Sequence, residues 1–572
     1  MRRNFFKSRR KPRLFIAGLI LLLAVGFAGC VQAAPAPTVK FCWTVEGREI
    51  TIRLFEKSRD DVYLFLPAAL KGQDPVVRID QGAEFIFEDQ HYPDGSVFPA
   101  EQYVGQSGMA FYSTGKRIGN VAVMRGSEIP ALFFTMPDDQ IRRIEMNTKL
   151  DIQQDAAVVI LDGDGSLTTA QAVPHMKTRG NSTFFSKKKA YQFKLDKKAS
   201  LGGMEKNKTW ILLANYFDVS LIRNQITFDL LREMGMAGTP DCRQADLYIN
   251  GEYRGTYLLT EKIQIKSGRL EIRDLEDELE KLNGQDAYDA AVYKRGRGEA
   301  VYTTRWFDVE EPEDVTGGYL LEIEKELHFN QNKTDAGFAT DKTMCVIVKE
   351  PSHVGYRGMT YISNLVNDFH HAVLASDGRS KNTGRYYASF IDMRSFALKI
   401  IVEEFTANFD VRAGSQFMYK DSDSVDPLLH AGPGWDYDLT YGDRDDGLRN
   451  PTKEDYVFRR SSSEVYLYHW LLTHDDFRGI TRQLLEDVFM PAAEVLAGRR
   501  DPAPGSGLRS LKAYEEELRA SAGMNFKRWS AYGQSHSWNG AGRTFEDACA
   551  FVQDWIDQRM DMMNEKWLID AK

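Results

Sequence analysis

Hydrophobic and polar positions fall into three regimes along this chain. A cationic stretch from Arg2 to Arg13 runs into an uncharged apolar segment, Leu14 to Gly29. At about 16 residues that segment is short for a spanning helix of ~20 and suits a signal sequence, which places a cleaved leader over residues 1–33. Past a short Ala/Pro linker, apolar runs broken by turn residues predict strands, among them Ile50 to Phe55 and Val62 to Leu66, with a break at Pro93-Asp94-Gly95. They predict a small all-β domain over 39–145. Beyond Leu150 the continuous run Ala156 to Leu161 reads as a buried strand, and strand and helix patterns then mix to the C-terminus.

Within that third regime Trp210 to Tyr216 predicts a strand. Asp218 or Ser220 is then placed to cap a helix that runs through Leu221, Ile222, Ile226, Leu230 and Leu231 and stops near Met234-Gly235. Asn250-Gly251 between two β-rich runs predicts a hairpin. A helical pattern through Phe396, Leu398, Ile400, Ile401 and Phe405 leads into Asn408-Phe409-Asp410. Helical spacing at Phe477 to Phe489, Leu508 to Ala520 and Phe545 to Trp567 predicts a packing layer. The charged stretch from Asp274 to Val309, or about 274–310, reads as a mobile insertion. The class expected is α+β.

Composition narrows the partners. The 572 residues are 43% apolar and 12% aromatic, enough for several cores. A net charge of -9 supplies no basic field, so nucleic acid is excluded as a partner. Phe27-Ala28-Gly29-Cys30 resembles a lipoprotein signal box, which would anchor Cys30 to the outer face of a bacterial membrane. Val31-Gln32-Ala33 offers the competing cut of plain secretion. Cys42, Cys242, Cys345 and Cys549 form no C-x-x-C pair, so no zinc framework is indicated, and disulfides and buried thiols both stay open.

Chemistry concentrates after Leu150. In Arg179-Gly180-Asn181-Ser182-Thr183 a glycine between short polar residues can turn backbone N–H groups toward an anion, and the lysines of Lys187 to Leu195 can face the same anion. Solvated lysines on a hairpin are the alternative. There is no P-loop and no G-x-G-x-x-G fingerprint. Glu261 stands at a strand exit beside Lys262. Asp436 and Asp438, at i and i+2 in Gly432-Pro433-Gly434-Trp435-Asp436-Tyr437-Asp438, share one side of an extended segment and suit a hard cation such as Mg²⁺. Loop aspartates also cap turns. His430, just ahead, reads as a hydrogen-bonding or solvent-exposed residue rather than a base.

The run R-G-N-S-T, K-K-A-Y, W-I-L-L-A-N-Y-x-D-x-S-L-I-R-N and I-N-G-E-Y-R-G-T-Y-L-L-T-E-K resembles the spore coat protein H (CotH) kinase family. The likeness continues through Thr316 to Glu322 and Val346 to Pro351 and covers about 150 to 570. It implies an atypical protein-kinase-like, two-lobed domain over 150–572 that uses ATP and Mg²⁺, with Mn²⁺ as a substitute. Asp410 lines up with the catalytic-loop aspartate and Asp436 with the metal-binding aspartate of the activation segment, with Asp438 behind it. Gln416 falls where the family usually carries a metal-binding asparagine. The resemblance makes Arg179, Asn181, Ser182, Lys189, Lys194 and Glu261 candidates for ATP binding. It leaves the phosphate lysine open between Lys189 and Lys194, which lie an odd number of residues apart and so face opposite sides of one strand. The expected acceptors are Ser and Thr of exported proteins. A noncatalytic surface protein with a kinase-like fold and a metal-dependent hydrolase are the competing functions.

Overall fold

The structure is a computed structural model that describes residues 38–146, 155–180, 183–297, 303–331, 334–408, 411, 414–443, 450–453, 466–530 and 544–568. Its largest sheet has eight strands in the order Leu167–Ala172, Ala157–Leu161, Ala131–Thr135, Cys242–Ile249, Glu252–Glu261, Asn207–Leu213, Ala190–Ala199, His175–Arg179. Strand alternation splits its apolar residues between two faces. Leu132, Phe134, Val158, Phe193, Trp210 and Leu247 enter one core together with Ile141 and Ile144 of the helix Asp138–Met146. On the other face Ile211, Cys242 and Leu258 join the main core. Asn250 (φ 52°) and Gly251 (φ 79°) form the expected hairpin tip, both in the left-handed region that such a two-residue turn demands.

A second sheet of seven strands runs in the order Val292–Gly296, Thr303–Asp308, Gly337–Ala339, Cys345–Glu350, Tyr319–Glu324, Gln416–Lys420, Leu429–Ala431. The helix Met393–Thr406 packs beside it. Asp392 accepts the Ser395 N–H at 2.7 Å to start that helix, and Ala407 ends it in the left-handed conformation. Every residue from Phe396 to Thr406 is buried, including an ion pair between Lys399 and Glu403. The predicted C-terminal helices are present as Asp475–Leu484, Met490–Leu496, Leu511–Arg528 and Phe545–Glu565.

Residues 39–125 form two small sheets, one of three strands (Arg48–Arg53, Val39–Val45, Val76–Ile79) and one of six, around an aromatic core of Phe41, Phe85, Phe87 and Phe98. That core closes against Tyr248 and Tyr253 of the eight-stranded sheet.

Two expectations shift, and the open question of the cysteines closes. Ala131–Thr135 pairs in parallel with Cys242–Ile249, so residues up to 145 are not a unit apart from the large sheet. The charged stretch 274–310 is not a loose insertion over its described part. Asp274 caps the helix Leu275–Asn283 by accepting from the Asp277 N–H, Leu275, Leu279 and Tyr288 enter the main core, and Val292–Gly296 pairs with Thr303–Asp308. The four cysteines after Cys30 are buried free thiols. Cys30 and the whole leader lie outside the described residues.

Candidate functional site

The loop that carries Asp436 is held from below by a buried block of the eight-stranded sheet and the helix Arg223–Glu233. The N-cap position is Ile222 and not Asp218 or Ser220, yet Asp218 accepts the Arg223 N–H at 2.9 Å and the Ser220 N–H at 2.9 Å and so satisfies the first helical donor from five residues upstream. The Arg223 guanidinium, fully buried, pairs with Asp218, donates from Nε to the Thr440 carbonyl at 3.0 Å and lies 3.6 Å from Asp443. Asn224 accepts the Tyr437 N–H at 2.8 Å. Thr227 meets the Tyr441 hydroxyl at 2.9 Å. Arg223 and Asn224, the last two residues of W-I-L-L-A-N-Y-x-D-x-S-L-I-R-N, thus bond the loop from Tyr437 to Asp443, while Asp218 and Asn215 hold the segment itself in shape.

Within the loop Asp436 adopts φ 68°, a left-handed conformation that breaks the extended geometry expected for it. A Cβ at Gly434 would lie 2.2 Å from Leu231 Cδ1, so any other residue there has to displace that buried leucine. The Tyr437 hydroxyl donates to Glu403 at 3.0 Å and accepts from Lys399 at 2.8 Å. Trp435 stacks at 5.6 Å on Phe228 and carries the Arg179 guanidinium 5.0 Å from its ring. Burial raises the Asp436 carboxyl above the ordinary range. The Ser415 hydroxyl, which donates to it at 3.2 Å, and the Arg179 charge oppose that rise, and Glu322 adds to it.

Across from Asp436, the strand His175–Arg179 sends His175, Lys177 and Arg179 to one face, and the neighbouring strand adds Gln192 and Lys194 through the pairs Lys177↔Gln192 and His175↔Lys194. Burial pushes Arg179 down to about 10, against the pull of Asp436 and Glu322. Its Nη1 is buried with no hydrogen-bond partner among the described residues. Gly180 (φ +102°) follows, and a Cβ there would meet Thr183 Oγ1 at 2.0 Å. Burial also lowers Lys262, which shares its electrostatic surroundings with Lys177, Arg179, Glu350 and Glu276. Lys349 closes the seam by pairing with Glu322 at 3.0 Å. Two sheets therefore meet along a polar seam with Arg179, Lys177 and Lys262 on one side and Asp436, Glu322 and Glu350 on the other.

The remaining expected residues fall as follows. Lys194 is exposed on the Arg179 face, in a shallow pocket of about 140 Å³ with His175, Lys177 and Thr209. Lys189 precedes the strand instead of lying on it, and its ammonium donates to the Phe184 carbonyl at 2.6 Å. Glu261 alternates to the Trp210 side of the sheet, away from the seam, where it accepts the Asp241 N–H at 3.1 Å and faces Arg269 at 4.0 Å. Gln416 is fully buried, and its amide oxygen accepts from the Tyr468 hydroxyl at 3.2 Å rather than from anything at Asp436. Asp438 is buried two residues beyond Asp436. His430 bonds Asp426 at 2.8 Å and stacks on Tyr419, the hydrogen-bonding role expected of it. Asp410, Asn181 and Ser182 lie outside the described residues.

Lys177 and Lys262 were not singled out in the sequence. Period-two alternation from Arg179 back to Lys177 is the signal that finds the first. Lys262 has only its place next to Glu261, and alternation there picks the lysine and not the glutamate.

Fold and seam define a mixed helix-and-sheet protein with a cationic strand face opposed to a desolvated aspartate. The profile of the CotH kinase protein family matches residues 176–563, most of the chain, and the chain belongs to this family. The search of curated proteins gives no match.

Proposed function

We propose that this chain is an exported atypical protein kinase that transfers the γ-phosphoryl group of ATP to serine or threonine hydroxyls of secreted or cell-surface proteins. The observation that carries the reading is Arg179 opposite Asp436: a guanidinium with an unsatisfied buried nitrogen beside a desolvated carboxylate. A buried guanidinium nitrogen with no hydrogen-bond partner is suited to a phosphate oxygen, and a single carboxylate is suited to a divalent ion whose other ligands are phosphates and water.

On this reading the eight-stranded sheet and the seven-stranded sheet with its helices are two lobes, and the β-rich N-terminal unit stands ahead of them. Arg179, Lys177 and Lys262 bind the phosphates. Asp436 holds the cation, and Asp410 orients the acceptor hydroxyl. Mg²⁺ or Mn²⁺ bound there would neutralise charge on the transferred group. Gln416, turned toward Tyr468, and Asp438 are left to shape the pocket walls. The leader exports the chain, and a lipid on Cys30 or plain secretion sets its final place.

The test is to incubate the exported chain with labelled ATP and Mg²⁺ or Mn²⁺, alone and with exported acceptor proteins, beside Asp410→Ala, Asp436→Ala and Arg179→Ala. Transfer by the intact chain, lost in the aspartate variants and with weakened ATP binding in Arg179→Ala, is expected. No ATP binding and no transfer would end the kinase reading; ATP binding without transfer would favour a noncatalytic surface protein.

A further inference from the structure

Away from the seam, three basic side chains stand in one row across the three-stranded sheet. Lys40 lies directly opposite Arg53 on one neighbour and Arg78 on the other. Like charges directly opposite one another in a ladder repel. None of the three side chains has a hydrogen bond or ion pair with another described residue. Arg53 and Arg78 are exposed and Lys40 is half-buried, so the row is open to a ligand. Alternation puts the sheet's apolar residues Phe41, Ile52 and Val77 on the opposite side, in the aromatic core, which fixes the row facing outward.

Outward here means into a groove. The row forms one wall of a cavity of about 610 Å³, and the far wall is Phe133 to Met136 and the Asn250-Gly251 turn. Two carboxylates share the groove. Asp138 accepts from Asn250 Nδ2 at 2.7 Å and is committed to that contact. Glu49 lies opposite Thr44, two rows along the same face from Lys40, with Cys42 and Thr51 between. The positive charge is therefore concentrated at the Lys40 end. Two arginine forks and an ammonium around one space are the donor set that tetrahedral oxyanions favour, because a guanidinium gives two parallel hydrogen bonds to one phosphate.

We propose that this groove is a phosphate-binding site, remote from the Asp436 loop and independent of the phosphoryl-transfer reading. A ligand of this class, either free phosphate or a phosphorylated serine or threonine of a polypeptide, removes the repulsion along the row. The site then couples to folding: the anion stabilises the chain, and so does deletion of one cation in its absence.

Titration of the full chain with inorganic phosphate and with a phosphoserine peptide, at low salt and followed by calorimetry, tests this beside Arg53→Ala/Arg78→Ala. Saturable binding is expected, weakened about tenfold or more in the double variant. The double variant should also melt higher than the parent in phosphate-free buffer and lose the phosphate-induced rise in Tm. Equal affinities would assign the site to free phosphate, and a tighter peptide would assign it to a phosphorylated chain. No saturable binding of either probe, or unchanged affinity in the double variant, would overturn the proposal.

Discussion

The side-chain oxygen of Asn224 accepts the backbone N–H of Tyr437 at 2.8 Å, which ties the first turn of a buried helix to the residue after Asp436. The Asn224 side chain also donates from Nδ2 to Asn215 Oδ1 at 3.2 Å, which fixes the orientation of the amide. Asn224→Leu should leave the N–H unpaired and cost about 1–3 kcal/mol of stability. On the kinase reading phosphoryl transfer should fall further than this loss of stability accounts for. Denaturant unfolding and labelled-ATP transfer on the same preparation separate the two, and full transfer in the variant would mean that the Asp436 loop needs no such tether.

Glu350 offers a pH signature. Burial raises its carboxyl to about 7, opposed by Lys262 and by the Ile265 N–H, and Glu276 adds to the rise. An unfolded glutamate releases its proton near 4.3. Between roughly pH 4.5 and 7 the folded chain therefore binds more protons, and this contribution to stability is lost as pH rises through that window. Glu350→Gln keeps the Ile265 contact and drops the charge. It should match the parent below the window and exceed it at pH 8 by at most about 4 kcal/mol, reduced by solvent screening. Tm measured from pH 4.5 to 8 checks this; parallel profiles would reject it.

The ion pair of Lys399 and Glu403 is fully buried, and both partners reach the Tyr437 hydroxyl. Lys399→Met strands a carboxylate in the core and should cost about 3–5 kcal/mol. Adding Glu403→Gln should recover part of this, because the amide carries no charge. A double variant no more stable than the single one in urea would show that packing, and not charge, sets the cost.

Gly434→Ala drives a methyl toward Leu231 Cδ1, 2.2 Å away. Overpacking of this kind costs about 1–3 kcal/mol. Leu231→Ala removes the obstacle, so the two substitutions together should destabilise by less than their sum. Strict additivity in unfolding experiments would place the strain elsewhere.

Local rules made much of this molecule legible. The Asn250-Gly251 hairpin, the helix ended by Met234-Gly235 and the C-terminal helices stand where their patterns placed them. What sequence could not supply is which neighbour a strand takes and which face a side chain occupies. Ala131–Thr135 pairs with a strand over a hundred residues later, and no local signal encodes that parallel register. The same limit governs the lysines. Of Lys187, Lys188 and Lys189, it is Lys188 that is fully buried, donating to the Thr256 carbonyl and to Asn525 at 2.9 Å, and burial lowers it to about 7. Three consecutive lysines read alike until tertiary packing sorts them. Likewise Glu261 and Lys262 differ by one residue and by a whole face.

The parallel strand Ala131–Thr135 also decides where this protein can be cut. A fragment that begins at 176, where the family match begins, retains Cys242–Ile249 but discards the three strands beyond it: Ala131–Thr135, Ala157–Leu161 and Leu167–Ala172. Its sheet would end in a raw edge with unpaired backbone groups above Ala245, Leu247 and Ile249, a template for self-association. A piece that keeps this edge paired has to start upstream of Ala131, and a fragment trimmed to the homologous segment carries an association-prone edge that the whole chain does not have.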